Sequence, residues 1–211
     1  MAGRFFSADE ARLMARSRLP RMMFDFVDGA AGDESLRDIN SRVIDAIRLM
    51  PRVLADVATR DLSHSFLGME TGSPFGIAPM GMCNLTWPGA DMMLARAAAA
   101  RRIPVCVSTA SSTTLEAMQE VAGGNAWFQL YADRSAAFTD ELVDRADAAG
   151  YEVLILTVDV PVLSQRIRDL RNGFKYPFHW GPRQIWDLAT HPRWSLATLA
   201  ATIGNGLPRT R

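Results

Sequence analysis

A chain of 211 residues with 48% hydrophobic side chains can bury the core of one good-sized domain, or of one and a half smaller ones. Its 23 basic and 23 acidic residues cancel, which removes the basic excess that marks nucleic-acid binding. Cys83 and Cys106 are the only cysteines, and their spacing fits no zinc, redox or disulfide pattern, so a reducing cytoplasm and no metal site are expected. The N-terminus lacks the apolar core of a signal peptide, and no run approaches the ~20 apolar residues of a membrane span. The most apolar stretch, Val153 to Leu163, is short and contains Asp159.

Ser7-Ala-Asp-Glu10 has the form of a capping box and predicts a helix to about Arg18. Pro20 opens a second helix over Arg21 to about Val27, interrupted by Gly29 and Gly32, and a third covers Glu34 to Ile47. Arg52 to Val57 is the first strand pattern. From Ser73 the chain changes character. Phe75 to Ala78, Ile103 to Val107, Ala126 to Leu130 and Val153 to Val158 are short apolar strand patterns. Helical stretches separate them: the Ala-rich Pro88 to Arg101, then Thr113 to Val121 behind the capping run Ser111–Thr114, then Ser135 to Ala149 ending at Gly150. The predicted segments are therefore 1–72, helices and a strand; 73–165, four βα units; and 166–211, polar and aromatic, with one or two amphipathic helices from Arg183 to Ala201.

Doubly apolar strands alternating with helices argue for a parallel sheet covered by helices. Repeats of about 25–30 residues are the size of one βα unit of an eight-fold barrel. Polar residues close all four strands: Met80/Gly81, Ser108/Thr109, Gln129/Tyr131 and Thr157/Asp159. A buried parallel strand has no packing reason to finish in Gln or Asp, and this end is where such folds place ligands. Taken singly, each of these residues also reads as a turn former or a core hydrogen-bonder. Arg166 with Asp169 also reads as a surface pair contributing little.

The strings Phe75-GIAPMG-Met82, Val107-STASSTTLE-Ala117, Trp127-FQLY-Ala132, Leu156-TVDVPVLSQRIRD-Leu170 and Leu19-PRMMFDFVDGAAGDE-Ser35 resemble the FMN-dependent 2-hydroxy-acid oxidases and dehydrogenases. Glycolate oxidase, mandelate dehydrogenase and flavin-dependent L-lactate dehydrogenases belong to that family. The resemblance runs from about Leu19 to the end of the chain. It implies an α/β fold, the TIM (β/α)8 barrel, of which this chain carries the N-terminal helices and the first four βα units. It implies FMN as cofactor, with Ala78, Pro79, Met80 and Gly81 lining the flavin by their backbone. It also implies Ser108, Gln129 and Thr157 as hydrogen-bonding partners of the ring. A neutral flavin with several polar edge atoms suits such uncharged groups. Tyr131 matches a tyrosine facing the substrate oxygen, Asp159 a carboxylate steadying the catalytic histidinium, and Arg166 a basic residue near substrate and flavin on a mobile loop.

Two departures concern the substrate pocket. Phe26 stands where many members carry a tyrosine that helps bind the substrate carboxylate, and Ala110 where some carry a bulky aromatic. Without that hydroxyl, either the remaining arginines hold the carboxylate or the substrate differs from glycolate and lactate; Ala110 suggests a roomier pocket, and together they leave a larger 2-hydroxy acid as the expectation. The family's catalytic histidine, carboxylate-binding arginine, N1-side lysine and phosphate loops lie on the second half of the barrel. The chain is therefore expected to be an incomplete enzyme that binds FMN weakly alone and needs a partner for its open edges. His64 precedes the barrel, and His179 and His191 read as loop or surface residues. The resemblance further implies a homo-oligomer, a tetramer in the family. Aromatic and basic residues over 174–200 suit peripheral contact with the inner face of a membrane, or packing on the barrel or a neighbouring subunit. Alternatives are a flavin-type isopentenyl-diphosphate isomerase and a non-catalytic half-barrel.

Overall fold

A computed structural model describes residues 5–159, 162, 164–174 and 181–205. Helix α1 (Ala8–Arg18) starts as its capping signal requires. Ser7 Oγ accepts from the Glu10 N–H at 3.1 Å, and Glu10 Oε2 accepts from the Phe6 N–H at 2.7 Å. Helices α2 (Arg21–Asp28) and α3 (Ser35–Asp45) follow. The strand expected over Arg52–Val57 does not form. Val53, Leu54 and Val57 are exposed in irregular chain, so alternation there finds no sheet to bury against. Instead β1 (His64–Phe66) and β2 (Met69–Thr71) make an antiparallel hairpin. Leu67 and Gly68 close it at φ 49° and 81°, the left-handed pair that a two-residue turn needs.

The Phe75–Ala78 pattern shrinks to one parallel bridge, Ile77 to Val105. There the Ile77 N–H donates to Pro104 O at 2.8 Å, and the Cys106 N–H donates to Ile77 O at 2.9 Å. After the short α4 (Cys83–Thr86) the alternation runs α5 (Ala90–Arg101), β3 (Val105–Ser108), α6 (Leu115–Ala122), β4 (Ala126–Leu130), α7 (Ala136–Ala148) and β5 (Leu154–Leu156). Thr114 and Ser135 cap α6 and α7, each accepting a backbone N–H three residues on. The sheet is parallel in the order β3-β4-β5, with Ser108 beside Gln129 and Gln129 beside Ile155. Val105, Val107, Phe128 and Leu130 pack against Ala95 and Ala98 of α5, Leu115, Met118 and Ala122 of α6, and Leu142 and Ala146 of α7. Alanines on α5 and α6 let the helices lie close to the strands. Burying Phe128 completely contributes about 1.5–3 kcal/mol. β5 is shorter than the expected Val153–Val158, and Leu154 and Leu156 remain half exposed.

The chain continues with α8 (Ile167–Asn172), α9 (Pro182–Ala189) and α10 (Pro192–Asn205). Two compact units result: a helical one joining Met1–Asp56 to Val162–Ile203, and a barrel unit whose body is Val57–Pro161. This redraws the three-part division at 72 and 165, because the segment after β5 returns to the N-terminal helices. Arg168 pairs with Asp28 at 2.8 Å and with Glu34, and the Asp187 carboxylate accepts the Arg21 and Met22 N–H groups at the start of α2. Residues 175–180, including His179 and three of the tail aromatics, and the end of the chain from 206 lie outside the described residues.

Candidate functional site

In the barrel unit the strand ends are tied into one row. Ser108 Oγ, ending β3, donates to Gln129 Oε1 on β4 at 3.0 Å, and Gln129 Nε2 donates to Thr157 Oγ1 just past β5 at 2.9 Å. Ser108 and Gln129 are 5% and 2% exposed, while Thr157 is half-buried at the open side. Such burial makes each unmet polar group costly, so the three side chains fix one another. Thr109 stitches the same edge. Its hydroxyl donates to Gln129 O at 2.7 Å and accepts the Tyr131 N–H at 3.0 Å, and the Thr157 N–H donates to Leu130 O at 3.0 Å. Tyr131 and Asp159 follow on the exposed rim.

The turn after Ile77 docks on the end of β3. The Met82 N–H donates to Ala110 O at 2.9 Å, and a Cβ added to Gly81 would stand 2.9 Å from the Ala110 Cβ. Only glycine permits that approach. Ala78, Pro79 and Met80 are exposed beside it. A buried carboxylate holds the neighbouring loop: Asp91 Oδ2 accepts from Ser111 Oγ at 3.3 Å, the Ser112 N–H at 3.1 Å and Thr113 Oγ1 at 3.0 Å. Sequence reasoning passed over Asp91, which in the first turn of an Ala-rich helix reads as a solvated charge. The hydroxyl run Ser111–Thr113 was the available signal. Burial and the nearby Asp91 charge push the Cys83 thiol up to about 12, and burial pushes Cys106 up to about 11.

Phe26 and Arg166 are brought together in the helical unit. The Phe26 ring stacks on Phe174 with centroids 4.5 Å apart, and the Arg166 guanidinium lies 5.3 Å from the Phe26 centroid. Arg166 donates to Phe26 O and, at 3.0 Å, to Gly29 O, with Nε 2.8 Å from Asp169 Oδ2. Asp169 is only 8% exposed while the Arg166 side chain keeps 35% of its surface open, so this is a half-buried ion pair rather than the fully exposed one read from the sequence. Burial raises the Asp169 carboxyl, and Arg166 offsets part of that rise. His191 sits in the loop between α9 and α10, half-buried, its Nδ1 2.7 Å from Asp187 O.

Residues 15–209 match the family model of the FMN-dependent dehydrogenases. The chain belongs to this family. It is 37% identical to (S)-mandelate dehydrogenase of Pseudomonas putida over 196 residues, 93% of this chain and 50% of that enzyme. It is 41% identical to an L-lactate oxidase of Nostoc over 172 residues, 80% of this chain and 47% of that enzyme. The crystal structure of the monotopic membrane protein (S)-mandelate dehydrogenase superposes with a TM-score of 0.89 at 36% identity, covering 98% of this chain and 54% of that one. The chain spans about half the length of the curated relatives it matches. The parallel βα units are accordingly the opening part of the family's TIM barrel.

The strand-end row fits the cofactor of an FMN-dependent dehydrogenase. Its donors and acceptors are uncharged, as a neutral ring with polar edges requires. The proton of the half-buried Thr157 hydroxyl has no acceptor among the described residues, which leaves a donor at the open side of the row. Among the described residues no group of three or more His, Cys, Asp and Glu side chains is arranged to hold a metal ion. No histidine among them stands at a strand end of the parallel sheet: His64 is on β1, and His191 lies between α9 and α10.

Proposed function

We propose that this chain supplies the flavin-facing mouth of an FMN-dependent oxidoreductase that converts a 2-hydroxy acid to the 2-oxo acid. The hydrogen-bonded row Ser108–Gln129–Thr157 across three neighbouring strand ends carries this reading. When bound, FMN takes up the hydride equivalent from the substrate's α-carbon. The residues of the row meet the ring's polar edge with donors already fixed to one another, so little ordering remains to be done on binding. The backbone of Ala78–Gly81, held against Ala110, borders the ring. Tyr131 offers its hydroxyl to the substrate oxygen. The Asp159 carboxylate, unpaired among the described residues, would steady the histidinium formed when a base takes the substrate's hydroxyl proton. The base is assigned to no residue of this chain.

The substrate is a 2-hydroxy acid larger than lactate. Phe26 brings no hydroxyl, and Ala110 leaves room where a bulky aromatic would fill it. The names of the relatives, mandelate and lactate enzymes among them, support this class. The chain works as a homo-oligomer associated peripherally with the inner face of a membrane. Exposed Ile185, Trp186, Leu196, Leu199 and Ile203 on α9 and α10 favour such a contact, and among the described residues no helix is long and apolar enough to cross a membrane. Liposome co-sedimentation with and without residues 175–200 tests this; equal sedimentation would refute it.

The activity is tested by joining residues 1–211 to the second half of the Pseudomonas putida (S)-mandelate dehydrogenase barrel and following dye reduction. Turnover of mandelate faster than lactate is expected, with Ala110→Trp shifting preference toward lactate. A joined protein that holds FMN but oxidises no 2-hydroxy acid would overturn the proposal.

A further inference from the structure

The helical unit contains a cleft of about 640 Å³ that the flavin chemistry does not use. Six arginines and three aspartates line it, an excess of three positive charges. The aspartates are already engaged. Asp28 is bound by Arg12 and Arg168, which hold its carboxyl down to about 2. Asp25 accepts from Asn172 Nδ2 at 2.6 Å, and Asp187 accepts the first two N–H groups of α2.

Three arginines are left without a carboxylate partner among the described residues, and a fourth is only loosely paired. Arg21 reaches Asp25 only at 3.4 Å, with 73% of its side chain exposed. Arg183 donates to a neutral acceptor, Arg171 O, at 3.0 Å. The guanidiniums of Arg16 and Arg171 have no partner among the described residues. These four come from α1, α2, α8 and α9, so the fold brings them to one cleft from chain positions up to 167 residues apart. Like charges around a shared cavity, three of them with no carboxylate partner among the described residues, repel and favour an anion between them. The walls are firm: buried Asp25 and Asn172 and the Arg168 network tie α8 to α2, and Asp187 and Gln184 tie α9 to both.

From this geometry we infer that the cleft is an anion site for a phosphate group, which the planar forks of several arginines bind by paired, charge-assisted hydrogen bonds. The phosphate comes from a soluble phosphate ester or from a phospholipid headgroup, and the chemistry is the same for both. The site is independent of the flavin mouth, so either assignment stands if the other fails.

The test uses the full chain at fixed ionic strength. Inorganic pyrophosphate is titrated calorimetrically, and vesicles of phosphatidylglycerol are compared with vesicles of phosphatidylcholine. The exposed Arg16→Gln and Arg171→Gln changes remove no recorded contact, so the fold is kept; circular dichroism checks this. Saturable pyrophosphate binding that the double variant weakens about tenfold or more, and that fades as salt is raised, identifies a soluble ester. Binding to phosphatidylglycerol vesicles alone, lost in the double variant, identifies the headgroup. Binding of neither probe, or binding that Arg16→Gln/Arg171→Gln leaves unchanged, overturns the inference.

Discussion

Replacing Gln129 with leucine removes the centre of the strand-end row. Ser108, 5% exposed, loses its acceptor at 3.0 Å, and Thr157 loses its donor at 2.9 Å. A buried group left unmet costs about 1–3 kcal/mol, while Thr157 at the open side recovers part of its loss from water. Gln129→Leu is therefore expected to destabilise the chain by about 2 kcal/mol, and Ser108→Ala by about 1 kcal/mol, since Gln129 Oε1 and the Ala110 N–H each lose a partner. The double variant removes both ends of one bond, so its cost falls short of the sum by about 1 kcal/mol. Urea unfolding of the four proteins, read by tryptophan fluorescence, measures this coupling. Additivity within about 0.3 kcal/mol would refute the claim that the two side chains form one buried network.

Three further outcomes follow from the geometry. Gly81→Ala pushes a methyl to 2.9 Å from the Ala110 Cβ, so about 1–3 kcal/mol of stability is lost; an unchanged urea midpoint would show that the turn yields freely. Asp28 is held at about 2 against an ordinary 3.8, which is about 2 kcal/mol of stability, fully present above pH 4 and lost as pH falls toward 2. Asp28→Asn should flatten that part of the stability–pH curve, and a curve of unaltered slope would contradict the assignment. Cys83 and Cys106, pushed up to about 12 and 11, are thiols at pH 8, so a disulfide reagent should label the native chain far more slowly than the urea-unfolded one; rapid labelling of both sites would contradict the burial argument.

The alternating units were legible because their signals are local. β4 has the predicted bounds, Ala126–Leu130, since all five residues are buried and the pattern is unbroken. Ser7, Thr114 and Ser135 announced their helices as caps. The strand-end residues were legible as misfits, polar where packing asks for apolar. What was missed depends on distant partners. Arg52–Val57 has strand-like alternation but no neighbouring strand. The β1–β2 hairpin is exposed and short, and only Gly68 marked its turn. Asp91 becomes structural only because Ser111–Thr113 fold over it from 20 residues away. The return of α8 and α9 to α2 rests on the contacts of Arg168 and Asp187, made across 140 and 166 positions, which no periodicity records.

The most direct test concerns the ring-binding role of the row. In the joined barrel, the side-chain amide resonance of Gln129 is followed as FMN is added. A stoichiometric shift of that resonance, together with those of Ser108 and Thr157 and absent in Gln129→Leu, is the expected result. FMN bound at full occupancy with those three residues unmoved would contradict the account.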